Sequence, residues 1–290
     1  MSEYIIFTDS ACDLTEETLK EWGVQYTCLT FKFDDDDKEY SNYDLSAKEF
    51  YEQMQQGRTA KTSATNVDTF KKAFEPILKE GKDILYVGFS SGLSTTVNSG
   101  RIAAQELREE YPDRNVIVID TLCASAGQGL AVYLSVQKKK EGATLEENAA
   151  YMLSLKNKIC HWFTVDDLVY LKRGGRVSPT VAFVGGLLGI KPIMKVDNAG
   201  KLIKVSTTRG RKNSLNVLID KLGEQCSDPK NATVFISHAD CLDEVKEMEK
   251  TLKAKYGIKF ANISNIGPVI GAHAGPHTMA FFFVGDKNLD

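Results

Sequence analysis

Between Tyr4 and Lys158, short β-rich apolar runs alternate with longer segments whose apolar residues recur at helical spacing. That alternation narrows the choice of fold more than any other feature of the chain. Tyr4–Thr8, Val24–Phe33, Ile84–Phe89 and Val116–Asp120 read as strands, and the last two are as short and apolar as buried parallel strands should be. Leu45–Gln55, Val67–Leu78, Val97–Glu110, Ala126–Lys140 and Leu145–Lys158 read as helices. A further helix is expected to open on an Asp13/Glu16 N-cap pair and to stop near Gly23. Strands joined through helices are βαβ units, which predicts a parallel sheet with helices on both faces.

Past residue 158 the pattern changes. Cys160–Val165, Pro192–Val196, Leu202–Thr207, Val234–His238, Lys259–Ile263 and Met279–Val284 are strand candidates, with helices at Leu215–Gly223 and Leu242–Tyr256. Asp197-Asn198-Ala199-Gly200 is a hairpin turn, so two of these strands should be antiparallel neighbours. The expected fold class is therefore α/β. A parallel-sheet α/β/α domain would cover residues 1–158. A second α/β domain with a mixed, largely antiparallel sheet, helices on one side, would cover 159–290.

Composition excludes several functions. The 290 residues are 42% hydrophobic and 26% charged, ordinary for a globular protein with a substantial core. A net charge of −3 with no basic face argues against a nucleic-acid partner. No apolar run approaches the roughly 18 residues of a membrane span, and the N-terminus reads as no signal peptide. Six scattered cysteines form no Cys-x-x-Cys pair, which predicts reduced thiols in a cytoplasmic protein and no metal site. Gly127-x-Gly129 lacks the third glycine of a dinucleotide fingerprint, since Val132 stands there, and no Gly-x-x-x-x-Gly-Lys-Ser/Thr loop occurs.

Two hydroxyl-rich segments draw attention. Ser90-Ser91-Gly92-Leu93-Ser94-Thr95-Thr96 joins a strand to a helix start, where free N–H groups and the helix dipole favour an anion. Lys61-Thr62-Ser63-Ala64-Thr65-Asn66 reads as a loop before another helix. Capping alone would explain either; together, at one edge of a parallel sheet, they would face a shared crevice. Arg173-Gly174-Gly175-Arg176 lets backbone and guanidinium approach an anion closely. The apolar run Val181–Ile190 is either core or the wall of a cavity. His273 and His277 lie in a Gly/Pro-rich segment that argues against a regular helix, with no carboxylate or cysteine nearby to complete a metal site.

Taken in order, these motifs resemble the DegV family of bacterial fatty-acid-binding proteins over essentially the whole chain. The matching residues are Thr8-Asp9-Ser10-x-x-Asp13-Leu14, Lys61-Thr62-Ser63, Ser91-Gly92-Leu93-Ser94-Thr95, and Asp120-Thr121 with Ser125 and Gly127. They continue with Leu171-x-Arg173-Gly174-Gly175-Arg176-Val177-Ser178, Lys191-Pro192-Ile193 and Gly267-Pro268-x-x-Gly271-x-His273-x-Gly275-Pro276.

The resemblance implies one long-chain fatty acid, such as palmitate, held in a tunnel, with no other cofactor. Its carboxylate would be bound by Thr62 and Ser94, with Ser63, Thr95 and His273 beside them. Phe183, Leu187, Leu188, Ile190, Ile270 and Met279 are candidates for the acyl tunnel. Arg173, Arg176 and Arg209 are candidates for partner binding, and Arg173 and His273 for assistance to phosphoryl transfer. The partner implied is the ATP-binding subunit of a fatty-acid kinase, which makes an acyl phosphate that feeds phospholipid synthesis. Transient membrane contact would serve lipid exchange. The rival readings are a serine-based acyl hydrolase using Ser94 and His273, and a carrier of another anionic amphiphile.

The sequence departs from the family at Ala64-Thr65, where Gln-Pro is usual, and at Thr95 and His277, where glycine is usual. Thr95 is expected to narrow the mouth of the site. His277 is expected to forgo a backbone conformation that glycine reaches.

Overall fold

The structure, a computed structural model, describes residues 3–182, 189–259 and 261–287. The first half runs β1 (Tyr4–Asp9), α1 (Glu16–Glu21), β2 (Gln25–Thr27), β3 (Thr30–Phe33), β4 (Tyr40–Ser41), α2 (Ala47–Gln55) and β5 (Ala60–Ser63). It continues with α3 (Val67–Lys79), β6 (Asp83–Gly88), α4 (Thr96–Glu110), β7 (Val116–Asp120), α5 (Ala126–Lys140) and α6 (Leu145–Leu155). Next come β8 (Ile159–Thr164), α7 (Val169–Arg173), α8 (Pro179–Ala182), β9 (Ile190–Val196), β10 (Leu202–Arg209) and α9 (Arg211–Gln225). The chain ends with β11 (Val234–His238), α10 (Leu242–Tyr256), β12 (Ala261–Asn265), α11 (Pro268–Ala274) and β13 (Met279–Val284).

The first sheet is all parallel in the order β2-β1-β6-β7. The large second sheet, β10-β9-β8-β13-β11-β12, is antiparallel except between β11 and β12. The fold is α/β with both sheet types, and the hairpin turn at Asp197–Gly200 joins antiparallel β9 and β10 as expected.

Helix α5 is the centre of the molecule. It packs on β1 and β6 on one side and on β8, β11 and β13 on the other. Its Leu130, Ala131, Val132 and Val136 join one buried cluster with Leu85 and Val87 of the first sheet and Phe235 and Phe282 of the second. Helices α3 and α4 cover the opposite face of the parallel sheet through Phe70, Phe74, Val97 and Leu107. Helices α9 and α10 cover the opposite face of the second sheet. The expectation of helices on one side of that sheet is therefore corrected, because α5 occupies part of its other face.

Three local expectations also change. Val24–Phe33 is not one strand. At Leu29 the chain leaves the first sheet: its N–H donates to Ser10 Oγ (2.9 Å), and β3 goes on to pair with β4 and β5 in a small antiparallel sheet. Lys61-Thr62-Ser63 therefore lies on a strand, not in a loop. Helix α1 is capped by Thr15, which accepts from Thr18 N (3.2 Å), while Asp13 is buried in a left-handed conformation (φ 52°). Finally, Pro268-Val269-Ile270-Gly271-Ala272-His273-Ala274 is a helix despite its composition. Pro268 stands in the first turn, where its missing N–H costs nothing.

Candidate functional site

The two sheets and α11 enclose a cavity of about 510 Å³. Its apolar wall includes Leu29, Phe89 and Ala124 from the first half and Phe163, Leu171, Val196, Leu202, Ile270 and Phe282 from the second. Strand alternation decides which face of the second sheet lines it. On β13, Ala280 and Phe282 face the cavity and α5, whereas Met279, Phe281 and Phe283 face α9 and α10.

Polar groups gather where the two halves meet. Helix α3 is capped by Asn66, whose Oδ1 accepts from Thr69 N (2.9 Å), so the hydroxyls of β5 are not spent on capping. The Thr62 hydroxyl instead lies 2.7 Å from His273 Nε2, a contact across 211 residues of sequence. His273 Nδ1 is buried without a partner, and a Cβ on Gly174 would come within 2.0 Å of it. Only a residue without a side chain at 174 leaves room for this imidazole. Burial, aided by the Arg176 guanidinium, pulls the His273 pKa down to about 4, so the ring is neutral at pH 7. A bare lone pair is a cheaper buried orphan than an N–H, which places the proton on Nε2, donating to Thr62 Oγ1.

The acids of the early motifs shape the serine-rich loop. Asp9 is buried and accepts from Tyr86 Oη (2.7 Å) and Phe89 N (3.0 Å); Asp120 accepts from Ser91 N (3.2 Å). Within the loop, Ser94 Oγ accepts from Thr96 N (3.2 Å) and lies 2.9 Å from Thr96 Oγ1. Ser90 is fully buried and donates to Gly200 O (2.8 Å), so it ties the loop to the β9–β10 hairpin. Ser91, Ser94 and Thr95 line the cavity.

Asp13, read from sequence as a cap, accepts from Ser125 Oγ (2.5 Å) and from Gly267 N (2.9 Å). Ser237 Oγ lies 2.8 Å from Ser125 Oγ. This buried triad pins both halves beneath the cavity, and burial raises the Asp13 pKa to about 7.

The other expected residues scatter. Arg176 lines the cavity and donates to Leu93 O (3.0 Å) and Gly174 O (2.5 Å). Arg173 is exposed over the Tyr170 ring, and Arg209 is exposed at the end of β10; neither is on the cavity wall. Ser63 is exposed and Ile190 half-buried, both off the wall, while Ile270 is on it. Met279 points into the opposite core, a correction that follows from the pleat. Phe183, Leu187 and Leu188 lie outside the described residues. His277 adopts φ 59° itself and donates its N–H to Ala239 O (2.7 Å), so the conformation expected to need glycine is kept. Sequence reading missed His161 and Phe282 on the wall, though the alternation of β8 pairs His161 with Phe163 on one face.

Among the described residues no group of three or more His, Cys, Asp or Glu could hold a metal ion. No described helix is long and apolar enough to cross a membrane.

A family model described as "Uncharacterised protein, DegV family" matches residues 4–286. A DegV domain-containing protein of Clostridium perfringens is 43% identical over 289 residues, covering 99% of each chain. The crystal structure of a DegV lipid-binding protein from Thermotoga maritima is 30% identical with a TM-score of 0.86, covering 98% of each chain. A stearic acid-binding protein from Eubacterium ventriosum is 26% identical with a TM-score of 0.88, covering 97% of this chain and 98% of its own.

Proposed function

This chain belongs to the DegV family, and from that premise we propose that it binds one long-chain fatty acid, of the palmitate class, in the cavity between its halves. The observation that carries the reading is the Thr62–His273 pair, 2.7 Å apart, on the wall of an otherwise largely apolar space of about 510 Å³. That volume falls within the range of small-ligand sites. Burying an alkyl chain gains about 0.8 kcal/mol per CH₂, on the order of 10 kcal/mol for a C16 tail before ordering costs. A carboxylate taken from water must be hydrogen-bonded in return. With His273 donating to Thr62 Oγ1, the Thr62 proton is free to point at the anion. Ser94 and Thr95 at the start of α4, and Arg176 on the wall, supply the remaining donors and charge.

We extend the proposal to the partner. The acid would be presented to a separate ATP-dependent kinase subunit for acyl-phosphate formation, feeding phospholipid synthesis, with transient membrane contact for lipid exchange. Arg173 and Arg209, both exposed, would meet the partner. His273 and Arg173 would help balance phosphate charge. Residues 1–158 would supply the hydroxyl loops, and 159–290 the tunnel wall and the Arg/His segments. Six free thiols support a reducing, cytoplasmic setting. The hydrolase reading lacks support: His273 Nε2 bonds Thr62 rather than Ser94, and Ser94 is engaged with Thr96.

Native mass spectrometry of the protein purified from cells tests the core of this. A co-purified mass of a C14–C18 acid is the expected result; a phosphorylated metabolite in its place would refute it.

A further inference from the structure

Helix α11 belongs to the second half by sequence, since β12 before it and β13 after it both lie in the large sheet. Its packing belongs to the first half. Ile266, Val269 and Ala272 join one buried cluster with Phe31, Phe50 and Tyr51. Gly271 presses so closely on Tyr51 that a Cβ there would collide with the phenol hydroxyl.

The start of the helix is held from the same side. Pro268 has no N–H to offer, and the N–H groups flanking it go to side chains of the first half. Gly267 N donates to Asp13 Oδ1 (2.9 Å) and Val269 N to Asn42 Oδ1 (2.9 Å). Tyr51 Oη donates to Ile266 O (2.9 Å). Asn42 is buried and off the cavity wall, and its amide is fixed at the other end by donating to Ser10 O (3.3 Å). Ser10 and Asp13 of the first motif thus combine with Asn42 into a socket for a helix from the far end of the chain.

Val269 and His273 lie one turn apart on the same side of α11. In a helix this short, a shift of the first turn is a shift of the imidazole. His273 tolerates little of it. Nε2 lies 2.7 Å from Thr62 Oγ1, and the opposite edge of the ring rests where Gly174 has no side chain. We infer that Asn42 is a positioning residue for His273, acting with Asp13 and Tyr51 through the first turn of α11 to hold the imidazole on Thr62. The head-group use of that pair rests on the fatty-acid reading above; the grip on α11 does not.

The test follows the full-length protein by histidine NMR. The chain has four histidines, and His273→Gln identifies the signal of interest. In the wild type, burial and the facing Arg176 guanidinium hold its midpoint down to about 4. Asn42→Ala strips Val269 N and Ser10 O of their partner, and Gly271→Ala pushes α11 off Tyr51. Each should raise the midpoint by about one pH unit or more, toward the ordinary value of about 6.5, because the ring regains water. Each should also weaken palmitate binding about tenfold in calorimetric titration. Phe283→Leu, in the core under α9 and α10, is the control for lost stability alone and should leave the midpoint unmoved.

An unchanged midpoint in Asn42→Ala, or an equal rise in the control, would overturn the inference. Should both α11 variants fail to fold, Tyr51→Phe decides, since it removes one hydroxyl and no packing. A raised midpoint then supports the grip and an unchanged one defeats it. Wild-type protein that binds no palmitate is a separate result: it removes the fatty-acid reading and leaves the titration to judge Asn42.

Discussion

The two halves of the molecule furnish the cavity by opposite means. The parallel half contributes loops and a side strand, where hydroxyls and backbone N–H groups converge at strand ends, as in other open α/β sheets. The antiparallel half contributes the flat of a sheet, where every second residue is wall and its neighbours belong to another core. On the proposed fatty-acid reading, the difference teaches that head-group recognition would be set by loop geometry and tail recognition by strand parity. A substitution should therefore affect one and spare the other.

The strongest challenge to that division compares adjacent residues of β13. Phe281→Ala should lower stability by about 3–5 kcal/mol in denaturant unfolding, because its fully buried ring fills the core under α9 and α10. Chain-length preference should stay unchanged. Phe282→Ala, one residue along, should shift that preference toward longer or bulkier acids. If both variants shift it equally, parity does not govern the tail.

Next in size come Thr62→Ala and Ser94→Ala. Each should weaken fatty-acid binding by about 1–3 kcal/mol in calorimetric titration, with no change in chain-length preference. Unchanged affinity in the double variant would remove the head-group assignment.

Asp13 tests the pin between the halves. Its folded-state pKa, raised to about 7, lies above the ordinary value of about 3.9. Between those values the folded protein holds a proton that the unfolded chain has released. This group's contribution to stability therefore falls as pH rises through that window and levels off above it. Asp13→Asn should flatten that part of the pH–stability curve measured by urea unfolding from pH 4 to 8. An identical slope in both proteins would show that this carboxyl ionises normally.

Smallest in binding is Arg173→Ala. The side chain is off the cavity wall, so affinity for the acid should change less than about twofold, while acyl-phosphate formation with the proposed kinase subunit should fall. Equal loss in both assays would place Arg173 at the head group after all.

Much of the scaffold was legible in the sequence because buried parallel strands are short apolar runs separated by helices, as Ile84–Phe89 and Val116–Asp120 are. Ala60–Ser63 was not legible as a strand, since a polar four-residue edge has no apolar run to mark it. Helix α11 was obscured by a glycine- and proline-rich composition whose one proline sits where helices tolerate it. For the site, Thr62, Ser94 and His273 could be named through motifs, but their meeting is tertiary. His161 lay hidden because Ile159–Thr164 reads as one buried run, and which face borders empty space depends on where α5 and α11 pack.

The serine-rich loop is tethered from the second half at two points: Ser90 gives its proton to the Gly200 carbonyl, and Arg176 holds the Leu93 carbonyl. Parting the two halves would therefore break the bonds that hold this loop in place. On the proposed reading, unloading and opening would then be a single mechanical event, which a partner prying at the hairpin tip would trigger.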